Sequence, residues 1–199
     1  MPIDYTKCRE TKVGTIILPR GRMLYPALLE KSLPKGETDQ AKAKYQVSIL
    51  FPAAADFALL QEKVKAAIDE KWTPAQQKLK KIKKPFLKVA DMPKLAGYAD
   101  EYPVLIRLNA NIKPQVMSID GKSMVADEEE IYGGRWAEVT CNVYAYDHPT
   151  GGPGVSCGLG NVHLLDHDDA IGAGRVKAED EFEAAEGAAG GASADSVFD

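Results

Sequence analysis

Three aromatic residues lie on one side of a segment whose other side is small and apolar. Residues 135–147 alternate, so that Ala137, Val139 and the small residues that follow them predict the buried side of a strand. Trp136, Tyr144 and Tyr146 lie on the opposite side. Exposed rings on a strand can stack on nucleic-acid bases, which contributes roughly 1–3 kcal/mol per base without demanding a sequence. The alternative is a strand buried on both sides, with the tyrosine hydroxyls reaching solvent.

Basic residues form the second candidate set. Arg107 and Lys113 share one side of a predicted strand over residues 104–113 with two asparagines, and such side chains can hold phosphates and touch base edges. Arg20 and Arg22 follow the first predicted strand. An ordinary solvated strand face is the alternative for residues 104–113. This face and the aromatic face reinforce each other only if their strands are neighbours.

A lysine-rich segment at residues 78–88 adds six positive charges. Lysines neutralise phosphates, and binding through them weakens steeply as the salt concentration rises. Runs of charge are also common on solvated surfaces. The candidates in this segment for contact with phosphate are Lys80, Lys81, Lys83 and Lys84.

Metal sites and catalytic motifs are weakly indicated. Cys141, Cys157, His163 and His167 can bind zinc, but their spacing is not that of a zinc site. Asp120 and residues 127–130 could hold Mg²⁺ in a nuclease, although acidic loops are usually solvated. The sequence has no nucleophile-elbow or phosphate-loop motif. We therefore expect no catalytic residue, no metal and no cofactor.

Charge is divided unevenly along the 199 residues, whose net charge is −4 at pH 7. Residues 1–126 hold 22 Lys/Arg and 13 Asp/Glu, a net charge of +9. Residues 127–199 hold 3 Lys/Arg and 16 Asp/Glu, a net charge of −13. This division predicts a basic body with an acidic tail.

Residues 173–199 are rich in Ala, Gly and acidic residues and have little to bury, so we expect a disordered tail after a domain at residues 1–172. The tail could compete with nucleic acid for a groove, anchor a partner, or serve only solubility. The candidate anchor at its end comprises Asp195, Val197, Phe198 and Asp199.

The pattern of elements predicts a mainly β fold with one or two helices. Strands are expected at residues 12–18, 45–51, 104–113, 135–147 and 155–165, with a hairpin at Asp120-Gly121 and an amphipathic helix at residues 56–72. An OB-fold-like five-stranded barrel with elaborated loops fits these elements, and a β-sandwich is the alternative. With no apolar run of about 18 residues and no signal pattern, we expect a protein that does not use a membrane and works in the cytoplasm.

Three segments carry a resemblance to a known family. They are residues 132–136 (Tyr-Gly-Gly-Arg-Trp), 142–147 (Asn-Val-Tyr-Ala-Tyr-Asp) and 154–162 (Gly-Val-Ser-Cys-Gly-Leu-Gly-Asn-Val). Together they resemble the bacteriophage single-stranded-DNA-binding proteins formerly catalogued as a domain of unknown function.

The resemblance implies an OB-fold that binds single-stranded DNA without strong sequence preference, in phage replication or recombination in the host cytoplasm. It also implies no catalytic activity, and an acidic tail that recruits replication proteins such as a polymerase, primase or helicase. A metal-dependent nuclease or resolvase and a protein-interaction module without nucleic-acid binding are the alternatives. Preference for DNA or RNA, site size and oligomeric state, including a homo-oligomer, stay open.

Overall fold

A computed structural model describes residues 3–34, 36–125 and 127–171, and the structural statements below concern these residues. The tail residues named above, Asp195, Val197, Phe198 and Asp199, lie outside them. No helix in the described part of the chain is long and apolar enough to cross a membrane.

Nine strands and two α-helices make up the fold, together with four short 3₁₀-helices. The strands are β1 (Arg9–Glu10), β2 (Ile16–Ile17), β3 (Gly21–Ser32), β4 (Lys44–Phe51), β5 (Leu87–Lys88), β6 (Val104–Ala110), β7 (Val116–Met117), β8 (Trp136–His148) and β9 (Gly152–Leu164). The α-helices are α1 (Ala58–Lys71) and α2 (Pro74–Leu79), and the 3₁₀-helices are Gln40–Lys42, Val89–Asp91, Ala96–Tyr98 and Glu128–Glu130.

Five strands close into a ring in the order β3–β4–β6–β9–β8 and back to β3. All neighbours in the ring are antiparallel except β6 and β9, which are parallel. Counted along the chain, the third ring strand therefore lies beside the fifth, as in the Greek-key OB barrel. The predicted five-stranded OB-like fold is confirmed, and the β-sandwich alternative is set aside.

Alternation along each strand explains what fills the ring. Every second residue points inward, and these residues are apolar. The inward sets include Val47, Ile49 and Phe51 of β4, Ile106 and Leu108 of β6, Ala137, Val139 and Cys141 of β8, and Val155, Cys157 and Leu159 of β9. The helix α1 closes one side through Leu60 and Val64, as its apolar stripe predicts.

Two predicted strands are shorter than expected. The first is reduced to β2 at Ile16–Ile17, because Gly14 adopts a φ of +83° in a turn just before it. The strand predicted over residues 104–113 ends at Ala110, and Ile112 is 83% exposed instead of buried. Pro114 cannot donate to a ladder, which is consistent with the bend there. Lys113 therefore lies beyond the strand on which it was predicted.

Candidate nucleic-acid interface

The outer face of the β8–β9 hairpin carries the two tyrosines predicted to stack. Tyr144 is 41% exposed and Tyr146 is half-buried, and their ring centroids are 6.5 Å apart. They lie opposite Ser156 and Gly154 of β9, respectively. The hairpin thus offers one well-exposed ring and a second, partly covered ring beside it.

Glycines in β9 let the side chains of β8 lie flat across the hairpin. A Cβ atom on Gly154 would come within 2.5 Å of the Tyr146 hydroxyl oxygen, and one on Gly158 would collide with the amide of Asn142. Both glycines are therefore places where a side chain of β8 approaches the backbone of β9 closely. The resulting surface is low and open, which suits the flat faces of bases.

The basic–amide face of β6 shares this surface. Asn109 pairs with Gly158, and Gly158 pairs with Asn142, so the three residues form one row across β6, β9 and β8. Arg107 lies two residues before Asn109 in β6, and Tyr144 lies two residues after Asn142 in β8. Both side chains are exposed. Only one strand, the glycine-rich β9, lies between the two predicted faces. Neighbouring strands of a sheet are about 4.8 Å apart, so the two faces are close to each other.

A groove runs over the outer face of β4 and β6, and we call it the β4–β6 groove. Its larger cavity has a volume of about 590 Å³ and is lined by several apolar residues, by Gln46 and Ser48 of β4, and by Arg107 and Lys94. A second cavity of about 490 Å³ shares Gln46 with it and adds Lys44. None of the described residues that line either cavity is an aspartate or a glutamate. The groove therefore favours an anionic ligand.

Sequence analysis missed Tyr25, which lines this groove and is 56% exposed. It has a φ of +49°, in the left-handed region that residues with a Cβ seldom adopt, at a cost on the order of 1–3 kcal/mol. The one signal in the sequence is Pro26 inside a strand, since proline in a strand often marks an edge or a bulge. The sequence also contains no motif or pattern that singles out the other polar residues of the groove, Lys44, Gln46, Ser48 and Lys94.

The lysine-rich segment lies along the same edge of β9 as β6, closer to the turn of the hairpin. The main-chain N–H of Lys83 donates to Pro153 at 3.1 Å, and its carbonyl accepts from Val155 at 2.9 Å. Lys80 pairs with Asp147 at 2.6 Å, and this hydrogen bond lowers the pKa of the Asp147 carboxyl. Lys80 is thus partly neutralised within the protein.

The remaining predicted lysines differ in how free they are. The ammonium group of Lys83 donates to the Gly151 carbonyl at 2.8 Å. Lys81 and Lys84 are exposed, and neither forms an ion pair with any residue that the structure describes. These two lysines are the most available for phosphate contacts.

Trp136 lies in a different environment from the two tyrosines. It is half-buried, and its indole N–H donates to the carboxylate of Asp168 at 2.8 Å. The guanidinium carbons of Arg20 and Arg22 are 4.8 and 5.5 Å from its ring centroid. The ring contacts Tyr102 as well, with centroids 6.3 Å apart.

Acidic groups and carbonyls of residues 166–169 satisfy the two arginines beside Trp136. Arg20 is 3.6 Å from Asp166, and Arg22 is 2.7 Å from Asp168. Arg22 is buried and donates also to the carbonyls of Gly134 and Asp169. Trp136 and Arg22 are therefore engaged within the protein, and we leave them out of the proposed interface, whereas the exposed Arg20 stays a candidate for phosphate contact.

The acidic, imidazole and thiol groups considered for metal binding form no metal site among the described residues. Asp120 accepts from the hydroxyl and N–H of Ser123 in its turn, which lowers its pKa to about 2. His163 lies 3.1 Å from Glu138, and Cys141 is buried in the core. Within the described ranges, no three His, Cys, Asp or Glu residues are grouped so that they could hold a metal ion.

Comparison with known protein families gives a match over most of the chain. The family model described as "Enterobacter phage Enc34, ssDNA-binding protein" matches residues 14–192. Among curated proteins, none matches the sequence of this chain.

Solved structures with a similar fold include proteins of two bacteriophages. The single-stranded DNA-binding protein of bacteriophage Enc34, in complex with ssDNA, has a TM-score of 0.63 and 16% identity, over 86% of this chain and 97% of that one. Its C-terminal truncation has the same TM-score and identity, over 86% of this chain and 100% of that one. The single-stranded DNA-binding protein gp2.5 of bacteriophage T7 has a TM-score of 0.57 and 18% identity, over 88% and 98% of the two chains. These likenesses show the fold.

Proposed function

Because the chain belongs to the Enterobacter phage Enc34 ssDNA-binding protein family, we propose that it is a phage single-stranded DNA-binding protein that contacts DNA on the outer face of β4, β6, β9 and β8. One observation carries this proposal: Arg107 and Asn109 share a surface with Tyr144 and Tyr146 across the glycine-rich β9. The strand that stacks bases, β8, and the strand that holds phosphates, β6, then face the same side of the sheet with only β9 between them.

Each part of the surface has its own task in this proposal. The rings of Tyr144 and Tyr146 stack bases, which is tolerant of sequence because every base has a π-face. Arg107 and Lys113 hold the phosphate backbone from the side of β6, while Lys81 and Lys84 attract it from beside the hairpin. The amides of Gln46 and Asn109 supply hydrogen bonds to base edges.

Binding is tested by fluorescence anisotropy of a labelled dT oligonucleotide across a salt series. We expect tight binding at low salt, with an affinity that falls steeply as the salt concentration rises. A double-stranded oligonucleotide of the same sequence content is the matched control and should bind more weakly. No binding to the single strand at low salt would contradict the proposal.

We further propose that the protein is not an enzyme. The described residues bring together no metal-binding group, and Asp120 is held by hydrogen bonds in its own turn. Labelled single-stranded DNA should therefore stay intact during incubation with Mg²⁺ or Mn²⁺. Cleavage that copurifies with the protein would support the nuclease alternative.

For residues 173–199 we propose a tail that competes with DNA and recruits replication proteins in the host cytoplasm. Residues 175–199 carry 7 Asp/Glu and 2 Lys/Arg, so they compete electrostatically with phosphates for a cationic groove. Removing residues 173–199 should tighten DNA binding at low salt. Removing only residues 195–199 is the control, because it deletes the apolar anchor and keeps most of the charge. Weaker DNA binding by the longer truncation would refute competition.

A further inference from the structure

Tyr25 lies at an irregularity in β3 that turns its side chain away from the ladder. Leu24 pairs with Ser48, and Ala27 pairs with Gln46, so Tyr25 and Pro26 of β3 lie opposite the single residue Val47 of β4. Two residues opposite one define a β-bulge. Bulges of this kind change the direction in which a side chain points.

Contacts within the described chain do not explain why an aromatic ring is placed at Tyr25. Tyr25 is 56% exposed, and its hydroxyl makes no hydrogen bond to any described residue. Its φ of +49° is the single positive φ among the described residues other than glycine. Glycine would adopt this backbone conformation without strain, so the presence of a large aromatic residue calls for another benefit.

The surroundings of the ring match the parts of a nucleotide. Tyr25 lines the β4–β6 groove together with Arg107 and Lys94, whose charges suit phosphates. Gln46 and Ser48, also in the lining, can donate and accept hydrogen bonds at a base edge. An exposed ring, two cations and two polar side chains thus face one concave surface.

We propose that Tyr25 stacks on a base of the bound strand in the β4–β6 groove, and that the strained backbone of the bulge holds its ring for this purpose. This inference rests on the proposed function, because it requires that single-stranded DNA enters the groove. It extends the stacking surface from the hairpin tyrosines to the opposite side of β6. The bound strand would then cross β4, β6 and β9.

Three substitutions of Tyr25 test this role in the full-length protein. Tyr25→Phe keeps the ring, Tyr25→Leu keeps an apolar side chain and the backbone strain but removes the π-face, and Tyr25→Gly removes both ring and strain. Affinity for a labelled dT oligonucleotide should be kept by Tyr25→Phe. It should fall about 5- to 150-fold in the other two variants, the equivalent of roughly 1–3 kcal/mol for one stacked base.

Two further measurements separate stacking from charge and from folding. The slope of log affinity against log salt should be unchanged in all three variants, because each of them keeps every cationic side chain. The melting temperature of Tyr25→Gly should equal or exceed that of the wild type, since the substitution relieves strain. Tyr98→Ala is the matched control, because Tyr98 is 38% exposed and is absent from the groove lining.

The outcomes distinguish this inference from the proposed function. Wild-type binding to single-stranded DNA together with unchanged affinity of Tyr25→Leu and Tyr25→Gly would overturn the role of Tyr25 alone. Absence of wild-type binding would overturn the proposed function itself.

Discussion

Replacing Tyr144 with alanine removes the most exposed ring of the β8–β9 hairpin. The ring is 41% exposed, lies opposite Ser156 and is tilted against Tyr146 at 6.5 Å. If one base stacks on it, the loss of roughly 1–3 kcal/mol weakens DNA binding about 5- to 150-fold. The ring contributes little to the core, so the free energy of unfolding should fall by only about 1 kcal/mol, the magnitude of one aromatic pair.

The assay is fluorescence anisotropy of a labelled dT oligonucleotide at several salt concentrations. Tyr144→Ala should lower affinity equally at every salt concentration, because the side chain carries no charge. Lys81→Ala with Lys84→Ala should instead reduce the salt slope by about 0.7 for each phosphate that the protein no longer neutralises. The double variant Tyr144→Ala with Tyr146→Ala should weaken binding more than this lysine pair does.

Tyr98→Ala again serves as the control, because Tyr98 is 38% exposed but belongs to the short helix at Ala96–Tyr98. It should bind as the wild type does. Unchanged affinity of the double tyrosine variant, measured on protein with a normal melting temperature, would refute the assignment of the hairpin as a stacking surface.

Three other predictions concern the partners of particular side chains. Arg22→Ala should destabilise the protein by roughly 1–3 kcal/mol in denaturant unfolding, because it removes a buried guanidinium that donates to the Gly134 carbonyl, whereas Arg107→Ala should leave stability unchanged and reduce the salt slope by about 0.7; equal effects of the two would contradict their different burial. Gly158→Ala should change thermal unfolding by less than about 1 kcal/mol, because the exposed Asn142 amide that the added methyl group meets can turn away, and a larger cost would show that this amide is held in place. Hydrogen bonds from the Asp169 N–H and the Trp136 indole, with the charge of Arg22, hold the pKa of Asp168 below its usual value. The ionised Asp168 carboxylate therefore stabilises the folded protein above about pH 4, and this stabilisation is lost as the pH falls through the lowered pKa. Melting temperatures of the wild type and Asp168→Asn should therefore converge in acid, and a constant difference would be evidence against this link.

Local sequence patterns were sufficient for the long strands β4, β8 and β9, for the helix α1 and for the face of most of their side chains. The alternation in residues 135–147 correctly separates the buried Ala137, Val139 and Cys141 from the outward Tyr144. It does so because a period of two is a property of the extended chain itself. The helix α1 was predictable for the same reason, from apolar residues at steps of three and four.

Local patterns could not distinguish Tyr144 from Trp136, although both were predicted on the same face. The residues that surround Trp136 come from other parts of the chain, namely Arg20 and Arg22 from the start of the barrel and Asp168 from its end. An arginine predicted to bind phosphate and an arginine that binds a carboxylate look identical in sequence. The difference lies in which segment packs beside it.

The division of charge shows the same limit. The acidic half of the sequence begins at residue 127, yet β8 and β9 belong to that half and complete the barrel. Residues 1–171 hold 23 Lys/Arg and 22 Asp/Glu, so their net charge is only +1. A strongly basic body is therefore the wrong description. The cationic surface arises because carboxylates are absent from the described lining of the β4–β6 groove.

By itself, the sequence determined the β-rich class, the alternating faces and the family resemblance in residues 132–162, since each depends on residues close together in the chain. The tertiary structure alone decided that β6 and β8 are separated by the glycine-rich β9, and that Tyr25 enters the same groove as Arg107. It also decided that Trp136 and Arg22 are engaged within the protein. Strand order and register join residues far apart in sequence, so they depend on the closure of the whole ring and not on any local pattern.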